Sequence, residues 1–140
     1  MHNEITCLWK GGMEFEGDLT GYKIILDSTH PDGTKPHGPT PKRLLLLSAA
    51  ACTGMDVIPM LEKMQVPFKG LDIKVEADGT DTDPKVYTSM KIIYHFTGDN
   101  LESYRPQIER AVGLSQEKYC GVSAMLSKAM SIETEIRITP

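Results

Sequence analysis

The chain has 140 residues, of which 40% are hydrophobic and 24% are charged, and its formal net charge is −4. This length predicts one domain, residues 1–140, with one modest core, and the composition is that of a soluble globular protein. The negative charge argues against a nucleic-acid partner, because nucleic-acid binding normally needs a basic surface.

The N-terminus and the cysteines predict the compartment. No basic region followed by an apolar core comes after Met1, so we expect no signal peptide and a cytoplasmic location. There, Cys7, Cys52 and Cys120 are expected to be thiols and not structural disulfides. The sequence contains no CxxC motif and no Cys/His cluster, so it predicts neither a zinc site nor another cofactor.

The first forty residues are predicted to form short strands and turns. The strand candidates are Glu4–Lys10, Met13–Glu16 and Tyr22–Asp27, and Gly11-Gly12 is typical of a hairpin turn. Cys7 lies in the first of these strands, and we interpret it as a packing residue. Residues 28–40 are rich in Gly, Pro, His and Asp, which predicts a surface loop whose His30 and His37 are exposed.

A long apolar helix is predicted from Thr40-Pro41 to about Met64. Apolar side chains surround its axis, so we expect most of its surface to be covered. Its length approaches that of a membrane span, but Asp56 and Pro59 interrupt the apolar run. We therefore interpret it as a core helix and expect no membrane insertion.

The remaining residues are predicted to form strands and shorter helices. Leu71 to Ala77 and Met90 to Phe96 alternate with a period of two and indicate two strands joined by a turn. A helix is expected over residues 101–116, regular from about Tyr104 or Arg105 because of Pro106. A further helix at Gly121–Met130 and a last strand at Glu133–Thr139 complete the prediction.

The surroundings of Cys52 leave two interpretations open. Ser48 and Asp56 lie one turn before and after it, so a polar line runs along one face of the apolar helix. Cys52 is either a small core residue, with Asp56 paired to a cation from another segment, or a reactive thiol.

Two further sites carry positive charge. Cys120 is predicted near a helix N-terminus and close to Lys118, where a thiolate is favoured. The alternative interpretation is that a cysteine stands at this helix start by chance. Lys42 and Arg43 lie in the first turn of the long helix, where their charge opposes the helix dipole. They either reach into solvent or meet an anion or an acidic side chain.

Three sequence motifs carry a resemblance to a known family. They are Trp9…Gly12…Phe15…Gly17, Gly38-Pro39-Thr40-Pro41 with Ala50-Ala51-Cys52-Thr53-Gly54-Met55-Asp56, and Lys118-Tyr119-Cys120-x-Val122-Ser123-Ala124. In this order and over nearly the whole chain they resemble the OsmC/Ohr family of thiol peroxidases. The resemblance implies an α+β fold in which antiparallel sheets wrap around long central helices of an intertwined homodimer.

The same resemblance implies a function for the two cysteines. Cys52 would be the peroxidatic thiol and Cys120 the resolving thiol, and an external dithiol would reduce the disulfide that they form. The family's peroxidases carry a Glu directly after the proline that begins the central helix, and it holds an Arg against the thiolate. This chain has Lys42 at that position, and Lys10, Lys42 or Lys118 is the cation expected to replace the Arg. Asp56 would raise the pKa of the Cys52 thiol if it is close and unpaired.

Three functions therefore compete at the level of the sequence. The first is a thiol peroxidase that acts on organic hydroperoxides. The second is a non-catalytic protein on the same scaffold that binds an apolar or anionic small molecule, which Lys42 and Arg43 favour. The third is a thioesterase, for which Asp56 is the sole candidate acid inside the helix.

Overall fold

The computed structural model describes all 140 residues and divides into two compact units, Met1–Leu45 and Leu46–Pro140. The first unit is a three-stranded antiparallel sheet, in the order β1-β2-β3, followed by a loop. Its strands are β1 (Thr6–Gly11), β2 (Glu14–Leu19) and β3 (Tyr22–Leu26). The three predicted strands and the hairpin at Gly11-Gly12 are thereby confirmed.

Register separates the side chains of this first sheet into two faces. Trp9 pairs with Phe15 and Phe15 pairs with Leu26, while Leu19 pairs with Tyr22. Because side chains alternate along a strand, these five lie on one face. All of β1 is exposed, including Cys7, which we expected to pack inside. The chain's own elements leave this apolar face largely uncovered.

The loop after β3 depends on one glycine. The backbone N–H of Asp27 donates to the carbonyl of Pro39 at 3.1 Å, so the two ends of the loop lie side by side. A Cβ on Gly38 would lie 2.1 Å from the carbonyl oxygen of Ile25, so only glycine permits this approach.

The predicted long helix is present as α1 (Pro41–Lys63), which begins at its proline. Its buried residues, Ala49, Thr53, Val57 and Leu61, are spaced by four and define one face. The expectation that the helix is covered on all sides is therefore wrong for the single chain, since Leu47 and Met55 are 62% and 75% exposed. With 23 residues and a mean hydropathy of 1.8, α1 is long and apolar enough to cross a membrane, as the core helices of soluble proteins can also be.

The second unit contains the core. Its sheet has the order β4-β5-β6, from β4 (Gly70–Gly79), β5 (Tyr87–Thr97) and β6 (Ser131–Thr139). β4 and β5 are antiparallel, whereas β5 and β6 are parallel. The sheet is therefore mixed and not purely antiparallel. The helices between β5 and β6 carry the chain back to the end of the sheet at which β5 begins, so β6 runs in the same direction as β5. Ile92, Tyr94 and Phe96 of the central strand are fully buried.

The helical segment between β5 and β6 is irregular. A 3₁₀ turn (Leu101–Tyr104) leads into α2 (Arg105–Leu114), and a π-helical turn (Ser115–Tyr119) follows. The regular helix begins at Arg105, as Pro106 predicts. α3 (Gly121–Leu126) ends four residues before the predicted Met130. The N–H groups of Lys128 and Ala129 donate to carbonyls three residues back, so the chain tightens into turns there.

Candidate functional site

The structure brings together two thiols that lie 68 positions apart in the sequence. Cys52 is half-buried in the middle of α1, and Cys120 is buried at the residue that precedes α3. The two thiols lie close enough to interact, since the Cys120 side chain raises the pKa of the Cys52 thiol. Two sulfurs form a disulfide only when they reach bonding distance and an oxidant has activated one of them.

The surroundings of Cys52 favour its protonated form. Burial is the largest effect and raises the pKa of the Cys52 thiol, and it outweighs the backbone N–H of Val122, which lowers that pKa. The Cys120 thiol and the negative charge of Asp56 raise the pKa further. In the single chain Cys52 is consequently a thiol at neutral pH.

Cys120 is held by the backbone on both sides of it. Its N–H donates to the carbonyl of Ser115 at 2.7 Å, and its sulfur accepts the N–H of Ser123 at 3.4 Å. The π-helical turn before it supplies the first bond, and the first turn of α3 supplies the second. The buried hydroxyl of Ser123 has no hydrogen-bond partner within the chain.

A chain of hydroxyl groups connects the core to Asp56. Ser115 Oγ donates to Asp56 Oδ2 at 2.9 Å, and the Thr53 and Ser115 hydroxyls are 2.7 Å apart. Thr53 Oγ1 also lies 2.6 Å from the Tyr94 hydroxyl. Because a carboxylate only accepts, each hydroxyl must donate to the next, from Tyr94 through Thr53 and Ser115 to Asp56.

Gln116 supplies donors at the start of this chain. Its Nε2 donates to Thr53 Oγ1 at 3.2 Å and to the Tyr94 hydroxyl at 3.1 Å, so neither oxygen is left without a donor. Burial raises the pKa of Tyr94, which keeps its proton in place at neutral pH. The chain therefore orients Asp56 one helical turn from Cys52.

Sequence reasoning did not identify four members of this network. Asp56 was expected to be a lone carboxylate or the partner of a cation, but its hydrogen-bond partner is a serine hydroxyl. Two signals were present in the sequence: a threonine inside an apolar helix, and a tyrosine among the apolar positions of a buried strand. The missed residues are Thr53, Tyr94, Ser115 and Gln116.

Of the cations suggested by the sequence, Lys118 belongs to the second unit, as Cys52 does. Lys118 extends over the ring of Tyr119, with its Nζ 5.4 Å from the ring centroid. Lys10 lies exposed on β1, and Lys42 and Arg43 lie exposed in the first turn of α1, all in the first unit. Their roles stay predictions.

Two cavities lie along α1 within the second unit. One, of about 550 Å³, is apolar and is bordered by Leu47, Ala51, Met55, Ile58 and Ile73. The other, of about 660 Å³, combines methionines with charged groups, namely Met60, Met64, Asp56, Lys63 and Arg110. A ligand with an apolar body therefore has room beside Asp56.

Comparisons with known proteins agree with this architecture. The profile described as OsmC-like protein matches residues 32–135. The chain belongs to this OsmC-like family. It is 30% identical to Protein YhfA of Escherichia coli strain K12 over 125 residues, which cover 89% of each chain.

Two solved structures show the same fold as this OsmC-like chain. A hypothetical protein from Aquifex aeolicus VF5 superposes with a TM-score of 0.85 at 26% identity, covering 99% of this chain and 97% of that one. An organic hydroperoxide resistance protein OsmC from Legionella pneumophila superposes with a TM-score of 0.65 at 16% identity, covering 98% and 97%. The α+β prediction is thereby confirmed.

Proposed function

We propose that this chain is a thiol-dependent peroxidase that reduces organic hydroperoxides. The proximity of the Cys52 and Cys120 thiols, seen in the effect of Cys120 on the pKa of Cys52, carries this proposal, because a two-cysteine peroxidase must join two such sulfurs in every cycle. Membership of the OsmC-like family supports it, and the Legionella relative is named for organic hydroperoxide resistance.

The reaction needs no cofactor. The sulfur of Cys52 attacks the terminal oxygen of the hydroperoxide, the O–O bond breaks, and the alcohol leaves with the proton that the thiol has lost. Cys52 is then a sulfenic acid. Cys120 attacks its sulfur, water leaves, and the disulfide that results is returned to two thiols by an external dithiol.

The raised pKa of Cys52 requires that the thiol proton has an acceptor during the attack. Asp56 lies one turn further along the same helix face, and its charge acts on the Cys52 sulfur. Ser115 fixes one of its oxygens. We assign Asp56 as the residue that accepts the proton and passes it to the departing alkoxide. In this scheme it takes over a task that the Glu and Arg of other family members perform by stabilising a thiolate.

The proposal is tested by stoichiometric oxidation. The reduced chain receives one equivalent of cumene hydroperoxide and is digested without reductant, and the peptides are identified by mass spectrometry. We expect a Cys52–Cys120 disulfide, and in Cys120→Ser a Cys52 sulfenic acid that dimedone traps. Cys7→Ser serves as the matched control and should behave as the unmodified chain. Two thiols that persist after complete exposure to the peroxide would refute the proposal.

A binding protein on the same scaffold is the second candidate. The cavity of about 660 Å³ beside Asp56 favours it, because Lys63 and Arg110 offer positive charge next to an apolar lining. This candidate predicts that decanoate raises the melting temperature while octane derivatives without a charge do not. It also predicts no disulfide after peroxide treatment, which separates it from the peroxidase.

We also propose that the protein acts as a homodimer. The uncovered apolar face of the first sheet and the exposed side of α1 support this, since large apolar patches rarely stay open on a monomer. A second copy of the chain would cover both.

A further inference from the structure

Three potential metal ligands converge in the first unit. Glu14 begins β2, Asp27 follows the last residue of β3, and His37 lies in the loop that leads to α1. One ligand atom from each lies within 4.8 Å of the other two. No local motif announces this cluster, because its members are 13 and 10 positions apart.

Asp27 is the fixed member of the cluster. It is buried, and its Oδ1 accepts the N–H of Ser28 at 2.7 Å. Its Oδ2 accepts the N–H of His37 at 2.9 Å and Nε2–H of His30 at 2.8 Å. The His37 amide is the largest cause that lowers the pKa of Asp27, to about 2, so the side chain is a carboxylate throughout the physiological range. A carboxylate offers about four acceptor positions, so one remains.

The other two members already share a proton. His37 Nδ1 is hydrogen-bonded to Glu14 Oε1. A metal ion can replace a proton between an imidazole and a carboxylate, because both groups use the same lone pairs for either partner. Glu14 is half-buried, while His37 is exposed.

The geometry points to a binding site for a divalent transition-metal cation, with Glu14, Asp27 and His37 as ligands and His30 as the outer-shell partner of Asp27. Two carboxylate oxygens and one imidazole nitrogen form a donor set that suits Zn²⁺ and Mn²⁺. Carboxylates that bind a metal are in turn hydrogen-bonded by outer-shell groups, and His30 holds Asp27 in this way.

The surroundings leave the coordination shell incomplete on one side. A cavity of about 720 Å³ borders the cluster and is lined by Lys10, Gly12, Met13, Asp32 and His30 among others. Water would fill the remaining coordination positions of a bound ion from this side. The positive charge of Lys10 repels a cation and the negative charge of Asp32 attracts it. Because these two charges offset each other, the two carboxylate ligands decide the net attraction.

The site joins the two ends of the loop before α1. Glu14 belongs to the sheet and His37 to the loop that the Asp27–Pro39 bond closes. A bound ion would therefore stabilise this connection, and it would do so whether or not Cys52 reacts with peroxides. The inference is independent of the proposed function.

The test measures metal binding to the full chain without an affinity tag. Zn²⁺ is titrated by calorimetry into the Cys52→Ser variant, so that the paired thiols do not compete for it. Mn²⁺ is titrated into the unmodified chain and followed by electron paramagnetic resonance, because Mn²⁺ disfavours thiolate ligands. We expect one ion per chain and a higher melting temperature with the metal.

The variants separate this site from adventitious binding. Glu14→Gln and His37→Ala should each weaken binding by about 100-fold, and His30→Gln by about 10-fold, as outer-shell changes do. Glu16→Gln, on the same strand two positions later, and His2→Gln, next to an exposed glutamate, should bind as the parent does. Circular dichroism and the fluorescence of Trp9 verify that each variant is folded. No binding, or equal binding by Glu14→Gln, His37→Ala and the parent, would overturn the inference.

Discussion

The two sheets of the chain differ in how far the chain itself covers them. In the first sheet Trp9 and Tyr22 are 67% and 77% exposed, whereas in the second Tyr94 and Phe96 are fully buried. Burial of apolar surface contributes roughly 25 cal/mol per Å², so the second unit supplies most of the folding free energy. The Cys52–Cys120 site therefore belongs to a unit whose core a single chain completes. The apolar face of the first sheet is not completed in this way by a single chain.

The largest expected effect compares two leucines of α1. Leu61 is fully buried in the core of the second unit, and Leu47 is 62% exposed in the first half of the same helix. Leu61→Ala should lower the free energy of unfolding by about 2–5 kcal/mol, since it leaves a cavity. Leu47→Ala should change it by no more than about 0.5 kcal/mol in dilute, monomeric protein. Urea denaturation measures both, and equal losses would contradict the assignment of the core.

The second prediction concerns Asp56 and uses two readouts with opposite signs. Asp56→Asn removes a negative charge beside Cys52, so it should lower the pKa of the thiol and speed its alkylation by iodoacetamide at pH 7. The same change should slow peroxide consumption about 100-fold, because the proton acceptor is lost. Glu62→Gln, which removes one charge from the exposed end of the same helix, is the matched control.

The pH profile sharpens this prediction. In the unmodified chain the alkylation rate of Cys52 should rise with pH and reach half its maximum above the free-thiol value of about 8.5, because burial raises the pKa. Asp56→Asn should move that midpoint to lower pH. A variant that consumes peroxide faster than the parent would show that Asp56 only restrains the thiol.

The strands and long helix could be predicted because their signals are local. The alternation of Met90 to Phe96 indicates a buried strand by itself, and Pro41 marks the start of α1. The site depends on contacts between distant residues. Thr53 meets Tyr94 and Ser115 across 41 and 62 positions, and no local pattern states which hydroxyls will meet.

The same reason explains the errors. The parallel pairing of β6 with β5 is a property of the path between them, and the uncovered side of α1 depends on what else is near it. An apolar helix looks the same in sequence whether its own chain or a second copy covers it. The pairing of Cys52 and Cys120 was suggested by family motifs, and spacing alone does not predict it.

A third prediction addresses the hydroxyl chain. Thr53→Val keeps the shape of the side chain but removes the link between Tyr94 and Ser115, and it leaves buried polar groups without partners. Unfolding free energy should fall by about 1–3 kcal/mol. Tyr94→Phe removes only the first donor and should cost about 0.5–1.5 kcal/mol. Equal costs, measured by urea denaturation, would mean that the groups act separately and do not form a connected chain.

The smallest expected effect belongs to the first sheet, and it appears only when protein concentration varies. Trp9 lies on the apolar face and Leu8, its neighbour in β1, lies on the opposite face. If a second chain covers the apolar face, Trp9→Ala should weaken dimerisation by about 1 kcal/mol or more, and Leu8→Ala should weaken it less. Neither change should alter the stability of the monomer appreciably, because both side chains are exposed in it. Sedimentation equilibrium across a dilution series measures the association. A chain that stays monomeric at every concentration would show that the first sheet keeps its apolar face open, and α1 would then need a different partner.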